Sequence, residues 1–304
     1  MGRIVIVTVL ALAVFGETPA LAHFAERTDS LWGFVSRSDV VVIGTVVRAQ
    51  RLEEDGHTMV PGAVRVHVDE RLRGETGSGE MAILIEGAHQ PVYATGERVL
   101  VFAERRDGVL RSLQSRFEKI SADAAGAPVV SAVRRYLEIA DESSVKKRAA
   151  RLKSATLALL GSRDPRLHQD AVFDLNRSGL LDGALSDHDL ASLGRLALEE
   201  ATPLVVREGI AAKLGALSGG GRDAATAELT RLALRARNPA ARVATLNALA
   251  RSRRAEAIAP LAAAIDAPDR FVRLAAVEGL GALGARSAVT RIVTRLEDPD
   301  GRVA

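Results

Sequence analysis

The pattern of apolar and polar positions divides the chain into three parts. An uncharged run at residues 4–15 follows a positive start at Arg3. From about residue 39 to 113 the apolar period is two. Residues 39–49 (DVVVIGTVVRA) are largely β-branched, and residues 63–72 alternate Val64, Val66 and Val68 against Arg65, His67 and Asp69. Such runs predict strands. Three more are predicted at 81–85, 98–102 and 109–113, separated by Gly-containing connections. A short helix is predicted on each side, at 28–37 with Trp32 and Val35 on one face, and at 129–139. Five short strands joined by turns predict a small antiparallel barrel or sandwich.

Beyond Asp141 the period becomes helical and the chain matches itself. Take His168, Arg207, Arg242 and Arg273 as anchors. Asp164, Pro203, Asn238 and Asp269 stand four positions before them, and these residue types cap or open helices. Val172, Ala211, Leu246 and Val277 stand four positions after, and Leu175, Leu214, Leu249 and Leu280 seven after. Those spacings lie on one helical face. A turn and a second apolar helix follow each time. One helix pair per period predicts a stacked solenoid over 164–304. Residues 143–160 read as a lead-in helix whose Lys146, Lys147, Arg148, Arg151 and Lys153 form a solvated face. Pro299, Asp300 and Val303 repeat Pro268, Asp269 and Val272, so a fifth unit starts at the end of the sequence. The expectation there is either a fragment or truncated product, or a last helix pair that exposes an apolar face, with the former favoured.

Two resemblances sharpen this picture. The strings SDVVVIGTVV, VRVHVDERLRG and GERVLVFAE resemble the N-terminal module of exported bacterial proteins with an OB-like barrel, similar to the netrin/tissue-inhibitor-of-metalloproteinase class. That resemblance implies, as an alternative activity, inhibition of an extracellular metalloprotease. The related inhibitors present an N-terminal Cys to the protease zinc, and this chain has no Cys. The stretch APDRFVRLAAVEGLGALGARSAVTRIVTRLEDPD resembles the short HEAT-like repeats also found in phycobilisome lyases. The fold class expected is therefore multidomain, with a small all-β, OB-like barrel followed by an all-α HEAT-like solenoid.

The start of the chain supplies an address. Residues 1–15 and the small-x-small site Ala20-Leu21-Ala22 form a secretory signal, with cleavage expected after Ala22. The mature chain would begin at His23 and be periplasmic or extracellular. No later stretch reaches about 18 uncharged apolar residues, so no stable membrane insertion is expected after cleavage. The expected division is 1–22 signal, 23–141 barrel, 142–163 linker helix and 164–304 repeats. Lack of Cys excludes a disulfide framework, thiol catalysis and Cys-ligated zinc.

Charge adds one candidate surface. The chain has 304 residues and formal net charge +3. Arg outnumbers Lys 36 to 5, which fits a biased code as readily as an anionic partner. Seven Arg (231, 235, 237, 242, 251, 253 and 254) occur with no Asp or Glu between Arg231 and Arg254. The cluster reads either as a solvated face or as a patch for an acidic protein partner, with Arg242, Arg251, Arg253 and Arg254 as its contact residues. Nucleic acid is not expected, because aromatic residues for base stacking are missing nearby.

Other chemistry is sparse. A free N-terminal His23 chelates Cu(II) through its amine and imidazole, with His57, His67 or His89 as a second ligand, so copper binding is a further alternative. Asp187-His188-Asp189 invites a metal reading, but Ser186-x-x-Asp189 is a capping-box start. There is no HExxH, no GxSxG, no Rossmann fingerprint and no P-loop, and no cofactor is expected. The sequence reads as a secreted, non-enzymatic binding or scaffold protein, its solenoid holding another protein.

Overall fold

The computed structural model describes residues 29–50, 62–77, 79–85, 91–114, 119–177, 179 and 181–303. The predicted signal at 1–22 and His23 lie outside them. The order is α1 (Leu31–Arg37), β1 (Val40–Gln50), β2 (Gly62–Arg73), β3 (Glu80–Ile85), β4 (Arg98–Arg106), β5 (Val109–Ser112), β6 (Ile120–Ser121) and α2 (Ala127–Ala140). Then come α3 (Val145–Leu160), α4 (Pro165–Asn176), α5 (Asp187–Leu198), α6 (Leu204–Gly219) and α7 (Asp223–Arg235). The last are α8 (Pro239–Ser252), α9 (Ile258–Ala264), α10 (Arg270–Ala282) and α11 (Val289–Val293). Among the described residues no helix is long and apolar enough to cross a membrane.

The strands close on themselves. β1 pairs antiparallel with β2 (Val46↔Val66) and with β4 (Ile43↔Leu100). β2 pairs with β3 (Val64↔Ile83), β3 runs parallel to β5 at Leu84↔Arg111, and β5 returns to β4 (Glu104↔Arg111). The circuit β1-β2-β3-β5-β4-β1 is a five-stranded, OB-like barrel. Sequence reading missed β6, which pairs only with Val99 and Leu100 and is too short to show a period.

Residues 40–43 of β1 and 99–103 of β4 are apolar without a break because both their faces are covered. Val40, Val42, Val46, Val99 and Val101 point into the barrel with Val64, Val66 and Ile83. Val41, Ile43, Leu100 and Phe102 point outward, under α1 and α2. Phe34 stacks on Phe102 at 5.4 Å, and Trp32 meets Tyr136 at 5.8 Å. Ser30 starts α1 by accepting the Gly33 N–H at 3.1 Å.

That outer-face core does not stop at the barrel. It runs without interruption from Leu31 through Leu152, Leu160, Leu175, Leu214 and Leu249 to Ala288. The helix read as a linker, α3, buries Leu152, Ala155 and Leu160 in it. Four helix pairs follow: α4/α5, α6/α7, α8/α9 and α10/α11. The Leu column seven positions after each anchor is fully buried at all four positions.

Candidate interaction surface

The repeat columns have mechanical roles. Asp164 accepts from the N–H groups of Arg166 and Leu167, Asn238 from Ala241, and Asp269 from Phe271 and Val272. Asp300 accepts from the Arg302 N–H at 3.0 Å, the same first contact Asp269 makes with Phe271. The anchors serve the other end of the preceding segment. Arg207 Nε donates to the Thr202 carbonyl at 2.8 Å, and its Nη2 to those of Glu199 and Glu200. Arg273 Nη1 donates to the Ala267 and Pro268 carbonyls at 3.0 and 2.9 Å. His168 Nδ1 lies 3.5 Å from the Ser162 carbonyl. Arg242 Nε donates to the Ala233 carbonyl at 2.9 Å. A helix leaves its last carbonyls without internal donors, and a cation there also suits the helix dipole. The structure therefore gives Arg242, expected at a partner surface, a half-buried place between α7 and α8.

A second set of arginines ties neighbouring pairs. Arg222, just before α7, reaches back to the Leu185 carbonyl at 2.6 Å and Asp187 at 3.0 Å. Arg254, just before the 3₁₀ turn at Ala255–Ala257, repeats this on Asp223 at 2.6 Å and also holds Glu256 at 3.0 Å. Within the last unit, the anchor Arg273 also grips Asp298 with two bonds of 2.8 Å, and this pairing holds the Asp298 carboxyl at about 2. Lys213, nearly all buried, pairs with Asp182.

These contacts resolve the seven-arginine cluster. Arg231 pairs with Glu228, Arg237 with Glu200, and Arg254 with Asp223. Arg242 is bound to Ala233. The side chains of Arg235, Arg251 and Arg253 are exposed and make no hydrogen bond or ion pair with other described residues. The antiparallel helices also split the group. α8 has 14 residues, about 21 Å of rise. Arg235, Arg237 and Arg242 lie at the edge where pairs join. Arg251, Arg253 and Arg254 lie at the opposite edge, where the two helices of a pair turn. Arg253 caps α8 in the left-handed region, at φ 54°.

The remaining candidates separate in the same way. Ser186 and Asp189 form the capping box expected of them. Burial pushes the Asp189 carboxyl up, but hydrogen bonds from Lys153 and Ser186 outweigh it and hold the group at about 2. Among the described residues no group of three or more His, Asp or Glu is placed to hold a metal. His67 is exposed on β2, while His57 and His89 fall outside the described residues. A cleft of about 400 Å³ between the barrel and α2 is lined by Arg98 and Arg134, both already paired, with Asp69 and Glu70.

Sequence reading missed one polar cluster. Ser30 donates its hydroxyl to Asp174 of α4, and Asp29 pairs with Arg37 and Arg177. Burial raises the Asp174 carboxyl to about 7. The nearest signal in the sequence is an acid at a core-facing helical position.

A small barrel carrying a helical-repeat array is the class of protein this fold defines. Residues 226–304, from within α7 to the end, match the HEAT repeats family. No curated protein matches the chain in sequence.

Proposed function

We propose that this chain is a non-enzymatic scaffold, exported from the cell, that holds a partner protein on its repeat array. The observation that carries the reading is the array itself, with a HEAT-repeat match and pairs locked to one another by capping arginines. Stacked helix pairs present long continuous surfaces and serve as binding platforms. The uncharged run at 4–15 and the Ala20-Leu21-Ala22 site support export. The barrel shares a core with the first pair, so it supplies a second surface fixed to the array.

The test is cross-linking of the full chain in its native fraction, followed by reconstitution with each purified protein found. A partner whose protection footprint falls on α4–α11 supports the scaffold reading. Absence of any reconstituted complex overturns it. Sequencing the N-terminus of the mature chain tests export, with His23 as the expected first residue.

A further inference from the structure

Along the edge where the two helices of each pair turn, every acid at the start of a second helix is already engaged. Asp187 pairs with Arg222, Asp189 with Lys153, and Asp223 and Glu256 with Arg254. Asp182, in the first turn, pairs with Lys213. Three cations are left over on this edge. The side chains of Arg251, Arg253 and Arg286 are exposed, with no hydrogen bond or ion pair to other described residues.

The backbone singles out one of them. In three successive pairs the residue just before the second-helix cap is left-handed: Gly221 at φ 88°, Arg253 at φ 54° and Gly284 at φ 60°. Glycine takes this conformation without steric cost, whereas an L side chain does not. A Cβ added at Gly221 or Gly284 would meet nothing within 4 Å, so a side chain at this position projects into solvent. Arg253 thus stands at a glycine position, is exposed, and its side chain makes no hydrogen bond or ion pair with other described residues. Strained residues of this kind are a pointer to binding roles.

We propose that this edge of the third pair docks an acidic segment of a partner protein, with Arg251 and Arg253 gripping its carboxylates and Arg286 of the next pair extending the contact. This rests on the scaffold reading above and names the surface and the chemistry of what it holds. A guanidinium fork matches a carboxylate with two parallel hydrogen bonds. A nucleic acid strand fits this edge less well. The turns that carry these arginines, residues 251–257 and 283–288, hold no aromatic residue, so no base-stacking platform is present there.

The probe is a fluorescein-labelled octapeptide of alternating Asp and Glu, titrated with the full chain and read by anisotropy. Its Asn/Gln counterpart and an oligonucleotide of equal charge run alongside. The acidic peptide should bind and the neutral one should not. Arg251→Gln and Arg253→Gly should each weaken binding by about fivefold, the strong end of the range for one exposed ion pair. Arg235→Gln, on the opposite edge, should leave it unchanged. Arg253→Gly should also unfold at the same or a higher temperature, which separates lost binding from lost folding. Equal weakening by Arg235→Gln, tighter binding of the oligonucleotide, or no binding of the acidic peptide would each overturn the proposal. If Arg253→Gly still forms a reconstituted partner complex with wild-type affinity, this surface fails while the scaffold reading stands.

Discussion

Arg253 sets two backbone effects against each other. Left-handed geometry costs an L residue about 1–2 kcal/mol. A glycine there loses about 0.5–1 kcal/mol more chain entropy on folding. Strain is the larger, so Arg253→Gly should stabilise the protein by about 0.5–1 kcal/mol in urea unfolding. A destabilised variant would reveal an internal contact for the side chain. Arg242 and Arg251 make the complementary point, since both are Arg in α8. Arg242→Ala leaves the Ala233 carbonyl without its donor and should cost about 1–2 kcal/mol. Arg251→Ala should stay within about 0.5 kcal/mol of wild type. A run of seven arginines could not make that distinction, because the acids they meet come from other segments, such as Glu200 and Asp223.

Two glycines inside the repeat helices look alike in the sequence and differ in the packed array. A Cβ on Gly209 of α6 would sit 2.4 Å from Cγ1 of Val172 in α4, whereas one on Gly281 of α10 meets nothing within 4 Å. Alanine gains about 1 kcal/mol of helix propensity over glycine at either position. Overpacking costs about 1–3 kcal/mol, which outweighs the gain only at Gly209. Gly209→Ala should therefore lower the melting temperature and Gly281→Ala raise it; a rise for Gly209→Ala would contradict the close approach of α4 and α6. The four-and-seven columns were legible because a helix pair must bury one stripe against its neighbours. The strands β1 to β5 were legible from short β-branched or alternating apolar runs separated by Gly-containing connections. β6 was not, since its two residues pair only because Val99 and Leu100 present an open edge to them.

The molecule is held as one body by a junction that carries a titratable group. Asp174 is buried, and burial raises its carboxyl to about 7, helped by Asp170 and Asp29; the Ser30 hydroxyl and Arg177 pull the other way. Tyr136 and Arg135 of α2 also face this cluster, and the Tyr136 hydroxyl is pushed well above its usual range by burial and by Asp174 and Asp170. An unfolded Asp titrates near 3.8, so between there and about 7 the folded chain binds the extra proton. The stability this supplies is complete below the unfolded value and is lost as pH rises through about 7. The full loss is on the order of 4 kcal/mol. Asp174→Asn imitates the protonated form, so its stability should be flat across that window while that of wild type falls. Parallel pH profiles would show that Asp174 does not titrate there.

Local patterning sufficed for the barrel strands, the helix pairs, their caps and the buried Leu column, because each depends on residues close in the chain. The partners of the arginines, the division of the cluster between two edges and the common core of barrel and array depended on segments far apart. Asp29 and Ser30 meet residues of α4 about 145 positions later, at Asp174 and Arg177. No sequence period encodes such a meeting. It follows from α1 and α4 burying their apolar faces in one core, which fixes which polar groups must find each other beside it.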